Sequence, residues 1–219
     1  MFSITEHQVK AGQAPYNRLF LAIYNPVVQF NYRFLWGCQP RHVLDLYNEH
    51  VSANHLDVGV ATGTILDYCR FPTPSPRLAL MDLNPNSLAV AARNLARYHP
   101  ETYLRNVLDS IQIDAPLFDS VGLANLLPCL PGTMRTKKVV FENLKVVLKP
   151  GGRLFGCTIL YGGVKRSPLG TLALCLINAR GYLTNKQDDL EGLKRNLAEC
   201  FPESSVKVVG CVALFWARK

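Results

Sequence analysis

A short glycine-containing segment that follows a buried apolar run constrains the fold of this chain most. Leu56-Asp57-Val58 closes a run typical of a strand in a parallel sheet, and residues 64–69 then have helical spacing. The segment from Asp57 to Gly63, which reads DVGVATG, is therefore predicted to be a strand-to-helix turn. Glycine permits positive φ and a close approach to the backbone, and the N-terminus of the following helix offers unpaired N–H groups. We predict that a ligand lies over this turn.

A second carboxylate stands at the end of the next predicted strand, residues 77–82, which ends at Asp82. A carboxylate in that position can accept two hydrogen bonds from a ribose diol. The turn itself has the order Asp-x-Gly-x-Ala-x-Gly, whereas dinucleotide sites use G-x-G-x-x-G, and an acid in the first position would repel a pyrophosphate. The pattern favours a nucleoside ligand that carries an amine or a cation.

With these two carboxylates the chain resembles the class I S-adenosylmethionine-dependent methyltransferases, whose first motif is [DE]-x-G-x-G-x-G. The resemblance covers roughly residues 51–219 and departs at Ala61, where the family usually has glycine. It implies S-adenosylmethionine as cofactor, with Asp57, Gly59 and Gly63 at the methionyl portion, Asp82 at the ribose, and Asn106 with Val107 beside the adenine. The cofactor-binding residues that it implies are Asp57, Gly59, Ala61, Gly63, Asp82, Leu83, Asn106, Val107 and Asn125.

Strand-like and helix-like segments alternate along the chain, which predicts an α/β fold with a doubly wound, mostly parallel sheet. Near the C-terminus, residues 206–209 and 212–216 are separated by only two residues, too few for a parallel crossover, so we expect an antiparallel hairpin. The resemblance implies seven strands. We predict a single domain, with a helical N-terminal lid over residues 1–50, a cofactor-binding core over 51–219 and a substrate-side insertion over 161–185.

Composition agrees with one cytoplasmic domain. The chain has 219 residues and is 48% hydrophobic, so it can bury a sizeable core, and no apolar run reaches membrane-spanning length. The N-terminus lacks the layout of a signal peptide. Seven cysteines show neither a C-x-x-C pair nor a histidine at zinc spacing, so we expect no metal site.

The net charge of +8 is unevenly distributed, because residues 1–134 hold 9 basic and 10 acidic side chains and residues 135–219 hold 15 and 6. Such a basic half could attract an acidic substrate, a nucleic acid or an anionic membrane. Its lysines and arginines are scattered, however, and no aromatic-basic RNA motif occurs. We therefore expect most of this charge to be solvated surface and nucleic acid to be an improbable partner.

Aromatic residues recur at helical spacing from Tyr16 to Tyr24, up to a break expected at Asn25-Pro26. The resemblance implies that this segment covers the cofactor. Together with residues after the fourth and fifth strands it gives the predicted substrate pocket: Tyr16, Tyr24, Trp36, Leu126, Tyr161 and Tyr182. No dependable general base is evident, and His7, Tyr16 and Tyr161 are the candidates.

The chain is thus predicted to transfer a methyl group in line to a small, apolar or aromatic metabolite. The segment after the fourth strand, Asn125-Leu126-Leu127-Pro128, lacks the Asn/Asp-Pro-Pro-Tyr pattern that recognises an exocyclic amine in nucleic-acid methylating relatives. Two alternatives stay open. One is an RNA methyltransferase, which would be favoured if the basic half formed a continuous stripe. The other is a non-methylating relative that retains the cofactor, which would be favoured if Ala61 and the lid left no room for an acceptor. The atom that is methylated, the acceptor and the oligomeric state are left open.

Overall fold

A computed structural model describes residue 13 and residues 16–219 of the chain. Its centre is one seven-stranded sheet in the order β3-β2-β1-β4-β5-β7-β6. Strands β1 to β5 run parallel to one another, and β7 runs antiparallel to both β5 and β6. The strands are β1 (Asn54–Val58), β2 (Arg77–Asp82), β3 (Glu101–Leu104), β4 (Phe118–Ala124), β5 (Leu148–Ile159), β6 (Glu203–Val209) and β7 (Val212–Arg218). The predicted seven-stranded sheet and its antiparallel C-terminal hairpin are confirmed.

Helices cover both faces of the sheet, as a doubly wound fold requires. The helices in the described ranges are α1 (Arg18–Phe30), α2 (Pro40–His50), α3 (Thr64–Tyr68), α4 (Pro85–Asn94), α5 (Lys138–Val147), α6 (Pro168–Ala179) and α7 (Leu190–Cys200). One apolar core lies between the sheet and α5 with α7, around Phe141 and Leu193. A second core lies between the opposite face and α2, α3 and α4, around Leu46 and Leu66.

Helix α1 differs from the sequence prediction at Asn25-Pro26. The helix continues through Pro26 to Phe30 and passes directly into a π turn, Asn31–Leu35, so the expected break was wrong. A proline inside a helix costs roughly 3 kcal/mol. Buried apolar side chains on both sides of it, Leu21 and Tyr32, pack onto the rest of the protein and offset that cost. One unbroken segment therefore extends over the carboxyl end of the sheet.

The insertion after β5 is fixed by polar contacts that lie beyond α6. Asn185 donates to the carbonyl of Ile159 at 2.9 Å, and the N–H of Thr184 donates to the carbonyl of Pro128 at 2.7 Å. Lys137 Nζ lies 2.9 and 2.7 Å from the two carboxylate oxygens of Asp188, and both side chains are fully buried. The segment that follows α6 is thus bound to the end of β5 and to the loop after β4.

Candidate active site

The turn between β1 and α3 has an unusual backbone. Gly59, Ala61 and Gly63 all have positive φ, at 74°, 46° and 70°. A Cβ on Gly63 would lie 2.9 Å from Leu95 Cδ1, so the missing side chain lets this turn pack against α4. Ala61 adopts the left-handed region although it is not glycine, a conformation that costs on the order of 1–3 kcal/mol and is concentrated at ligand sites.

The carboxyl of Asp82 lies at the end of β2 and has a perturbed pKa. It accepts the N–H of Asn84 at 2.8 Å, and the N–H groups of Val60, Ala61 and Leu83 also stabilise its charge. Burial outweighs these four donors and raises the pKa of Asp82 to about 6. At neutral pH it is therefore a charged acceptor held in a fixed orientation by backbone donors.

A first cavity of about 80 Å³ lies in front of Asp82. Seven of the nine predicted cofactor residues line it, namely Gly59, Ala61, Asp82, Leu83, Asn106, Val107 and Asn125. Tyr16, Tyr24 and Leu126 of the predicted substrate pocket line the same cavity. Gly63 lines neither this cavity nor the one described next, because it serves the packing of the turn against α4.

A second, larger cavity of about 320 Å³ lies between α1, α2 and α3. Its walls are mostly apolar and include Val28, Val43, Leu44 and Ile65. The boundary between the two cavities is formed by the residues that line both: Tyr24, Gly59, Ala61, Ala124 and Asn125. Because Gly59 and Ala61 belong to the turn itself, a ligand that crosses this boundary would pass directly over the turn.

Two charged side chains of opposite sign line the second cavity. Asp57 is buried, its Oδ1 accepts the Tyr47 hydroxyl at 2.8 Å, and His55 Nε2 lies 3.6 Å from that same oxygen. Arg41 comes from the first turn of α2 and has no ion-pair partner within the described part of the chain. The sequence analysis did not identify Arg41, although a helix that precedes β1 must begin at the same end of the sheet as the turn.

Phenol and thiol groups surround the first cavity and its boundary. The hydroxyl of Tyr16 lies 3.4 Å from the sulfur of Cys129, a cavity residue that the sequence analysis also missed. The ring of Tyr24 lies 5.9 Å from that of Tyr16. Burial raises the pKa of Tyr16 and of Tyr24 well above the ordinary value, so both phenols stay protonated at neutral pH and act as hydrogen-bond donors.

Three predicted substrate residues lie away from both cavities. Trp36 is only 4% exposed and packs in the second core, where its carbonyl accepts the N–H of Cys211. Tyr161 lies beneath the guanidinium of Arg166, 4.5 Å from its ring centroid, and the side chain of Tyr182 is exposed at the surface. The structure thus does not bring these three side chains to either cavity, because each has another packing partner or points outward. His7 lies outside the described residues.

Comparison with known proteins identifies the family. A model of a methyltransferase domain matches residues 56–154. The demethylluteothin O-methyltransferase of Streptomyces thioluteus is 38% identical over 98% of this chain and 96% of its own length. The physcion biosynthesis cluster O-methyltransferase of Aspergillus chevalieri is 37% identical over 95% of each chain. The chain belongs to the class I S-adenosylmethionine-dependent methyltransferases. It is an enzyme of the small-molecule type, and S-adenosylmethionine is its cofactor.

Solved structures of other proteins share the fold of this one. The DhpI complex with SAH covers 98% of each chain with a TM-score of 0.69 at 15% identity. The N-methyltransferase NodS of Bradyrhizobium japonicum, in complex with S-adenosyl-L-homocysteine, covers 82% of this chain and 84% of its own with a TM-score of 0.57 at 20% identity.

The chemistry of the site fits the cofactor of this methyltransferase. The Asp82 carboxylate could accept from a diol, while Asp57 and Arg41 could provide one charge of each sign to an amino-acid group. Apolar side chains of Leu83, Val107 and Leu130 line the cavity in which a flat heterocycle would lie. No helix within the described ranges is long and apolar enough to cross a membrane, and no group of three potential metal ligands was found in that part of the chain.

Proposed function

We propose that this methyltransferase methylates a hydroxyl oxygen of a small, apolar or aromatic acceptor. The observation that carries the proposal is the mostly apolar second cavity, which opens onto the cofactor residues at the shared boundary. The two relatives at 38% and 37% identity are both named as O-methyltransferases, and one acts on demethylluteothin by its name. The cofactor supplies a methyl group on a sulfonium, and the transfer is an in-line displacement.

We assign the adenosine half of the cofactor to the first cavity. Asp82 would accept from the ribose hydroxyls, and Asn106 with Val107 would lie beside the adenine. Leu83 is assigned to the same subsite because it lines the cavity next to Asp82.

The amino-acid half is assigned to the second cavity, where the two unlike charges lie. Asp57 would accept from the ammonium group, and Arg41 would pair with the carboxylate. Tyr47 is a positioning residue in this assignment, because its hydroxyl orients the Asp57 carboxylate from behind. The remaining volume of this cavity, bounded by Val28, Leu44 and Ile65, is available to an acceptor.

The protonation states indicate how the acceptor is activated. Tyr16 and Tyr24 keep their protons at neutral pH, so they can donate to an acceptor oxygen but cannot serve as the base that removes its proton. An acidic hydroxyl, a phenol or an enol, would ionise without a strong base. Proximity and orientation can then supply on the order of 7–11 kcal/mol of the barrier reduction. His7 is retained as a candidate base.

The alternatives receive less support. Several cations of the basic half are paired with carboxylates, among them Lys138 with Glu199 and Lys149 with Asp119. This pairing weakens the case for a continuous basic stripe that would bind RNA. The second cavity leaves room beside the turn, which argues against a relative that keeps the cofactor without transferring the methyl group.

The test is methyl transfer from labelled S-adenosylmethionine to a panel of phenols, enols, aliphatic alcohols and amines, with products identified by mass spectrometry. We expect O-methylated phenols or enols, a lower turnover with Tyr24→Phe, and S-adenosylhomocysteine affinity unchanged in that variant. Tyr68→Phe is the matched control, because its ring is exposed at the rim of the second cavity. Transfer confined to amines would contradict the O-methylation proposal, and failure to bind S-adenosylhomocysteine would contradict the cofactor assignments.

A further inference from the structure

Exposed apolar side chains are concentrated on two elements that cover the carboxyl end of the sheet. Four lie on α1 and the π turn that follows it, and three lie on α6. They are Leu19, Ile23, Phe30 and Phe34 on the first element and Leu169, Leu172 and Leu176 on the second. We call these seven residues the apolar face. They account for more than half of the large apolar residues that are exposed in the described part of the chain.

The two elements adjoin each other. Gly170 in the first turn of α6 lies against the backbone of Leu35, and a Cβ on Gly170 would be 2.4 Å from the Leu35 carbonyl oxygen. Backbone contact at this distance means that α6 and the π turn are packed together without an intervening side chain. The seven exposed residues of the apolar face therefore lie on two adjoining elements and are not scattered singly over the surface.

The two stretches of sequence that carry the apolar face hold charges of one sign. Residues 7–44, which contain α1 and the π turn, include no Asp or Glu, and neither do residues 162–187, which contain α6. Basic side chains flank both elements: Arg33 lies next to Phe34, with its guanidinium 5.6 Å from the ring centroid, and Arg166 and Arg180 stand on either side of α6. The two stretches of sequence that carry the apolar face therefore contain basic side chains and no acidic ones.

We propose that the apolar face docks onto an anionic lipid bilayer. Apolar side chains would enter the interfacial region while the flanking cations meet the headgroups, the combination by which peripheral helices bind membranes. A second copy of this chain fits less well as the occupant, because association of two such surfaces would bring cations against cations. The docking is peripheral, since neither α1 nor α6 is long enough to cross a bilayer.

Residues of the apolar face and residues that line the cavities occur on the same helix, α1. Leu19 and Ile23 are exposed on α1, whereas Tyr24 and Val28 of the same helix line the cavities. One helix therefore separates the proposed membrane surface from the cofactor residues. Apolar molecules that partition into a bilayer would reach the protein on the side where its larger cavity lies.

The test is cosedimentation of the full chain with vesicles of phosphatidylcholine alone and with vesicles that also contain phosphatidylserine. We expect binding to the anionic vesicles that weakens with salt, and much weaker binding to neutral ones. The double variant Leu172→Ser with Leu176→Ser should lose binding to both, while Arg180→Gln should lower affinity about fivefold for anionic vesicles alone. Leu117→Ser is the matched control, because this leucine is 40% exposed at the opposite end of the sheet.

Two results would overturn the proposal. One is the absence of vesicle binding at low ionic strength by a protein that unfolds cooperatively. The other is a dimer in light scattering that the Leu172→Ser, Leu176→Ser variant dissociates without any change in vesicle binding, which would show that the apolar face contacts a second copy. Equal melting temperatures of the variants and the wild type would show that changes in vesicle binding or light scattering do not result from unfolding.

Discussion

Replacement of Asp82 by Asn tests the cofactor assignment most directly. The carboxylate is held by the backbone N–H groups of Asn84, Leu83, Val60 and Ala61, so its orientation does not depend on a bound ligand. A hydrogen bond to a charged group is worth about 1.5–3 kcal/mol. Asp82→Asn should therefore raise the Kd for S-adenosylhomocysteine about 10- to 150-fold above pH 6, where the wild-type carboxyl is charged.

The pH dependence of the wild type gives an independent check. Ribose hydroxyls that donate to Asp82 favour its charged form, so its pKa in the complex should be below the value of about 6 in the free protein. Affinity should accordingly fall as the pH drops through 6, by at most about tenfold per pH unit. The same acidification stabilises the free fold through this group, because its folded-state pKa is raised above the ordinary 3.8. Weaker binding at acid pH would thus not result from destabilisation of the fold by protonation of Asp82.

Titration calorimetry with S-adenosylhomocysteine on both sides of pH 6 measures these effects. Asp119→Asn is the matched control, because this carboxylate lies at the other end of a strand and pairs with Lys149. The reasoning is refuted if Asp82→Asn binds as tightly as the wild type at neutral pH, or if it keeps the wild-type pH dependence.

Two predictions concern stability, each measured by urea unfolding. Gly63→Ala and Gly151→Ala both place a side chain at positive φ, which should cost about 1–2 kcal/mol of unfolding free energy in each variant. Of these two positions, only Gly63 has a neighbour in the way of the new Cβ, at 2.9 Å, so Gly63→Ala should cost about 1–3 kcal/mol more. Equal losses in the two variants would show that close packing of the turn is unimportant. Lys137→Met leaves the buried Asp188 without its partner and should cost about 3–5 kcal/mol, and adding Asp188→Asn should restore part of that loss; a Lys137→Met protein as stable as the wild type would contradict a charged pair.

The parts of the fold and site that could be predicted from the sequence are those encoded by local spacing. The turn from Asp57 to Gly63 and the carboxylate at Asp82 each lie at the end of an apolar strand segment, and the carboxyl ends of parallel strands meet at one edge. The closeness of the two could therefore be anticipated. The C-terminal hairpin could also be predicted, because two intervening residues permit only an antiparallel turn.

Features that depend on tertiary packing could not be read in this way. The continuation of α1 through Pro26 depends on burial of side chains far from the proline, whereas the sequence shows only the local penalty. The π turn also changes the angular phase of the side chains that follow it, so an aromatic such as Trp36 ends on another face than α-helical spacing indicates. The position of α2 before β1 could have placed Arg41 at the correct end of the sheet, but its entry into the cavity depends on the whole fold, as does that of Cys129, and no local pattern marks either residue.

The way in which the insertion is fixed has a consequence for how this enzyme can diversify. Thr184, Asn185 and Asp188 hold the polypeptide downstream of α6 to the loop after β4 and to the end of β5, and Lys137, the residue before α5, completes the attachment. One side chain of α6 takes part, because Asn178 Nδ2 donates to Asn185 Oδ1 at 2.8 Å and Asn178 Oδ1 accepts the N–H of Asn185 at 3.2 Å. The exposed positions of that helix can therefore change while Asn178, the buried Leu174 and the closely packed Gly170 are kept. A graft of these exposed positions between members of this family should alter what the surface recognises and leave the cofactor residues undisturbed.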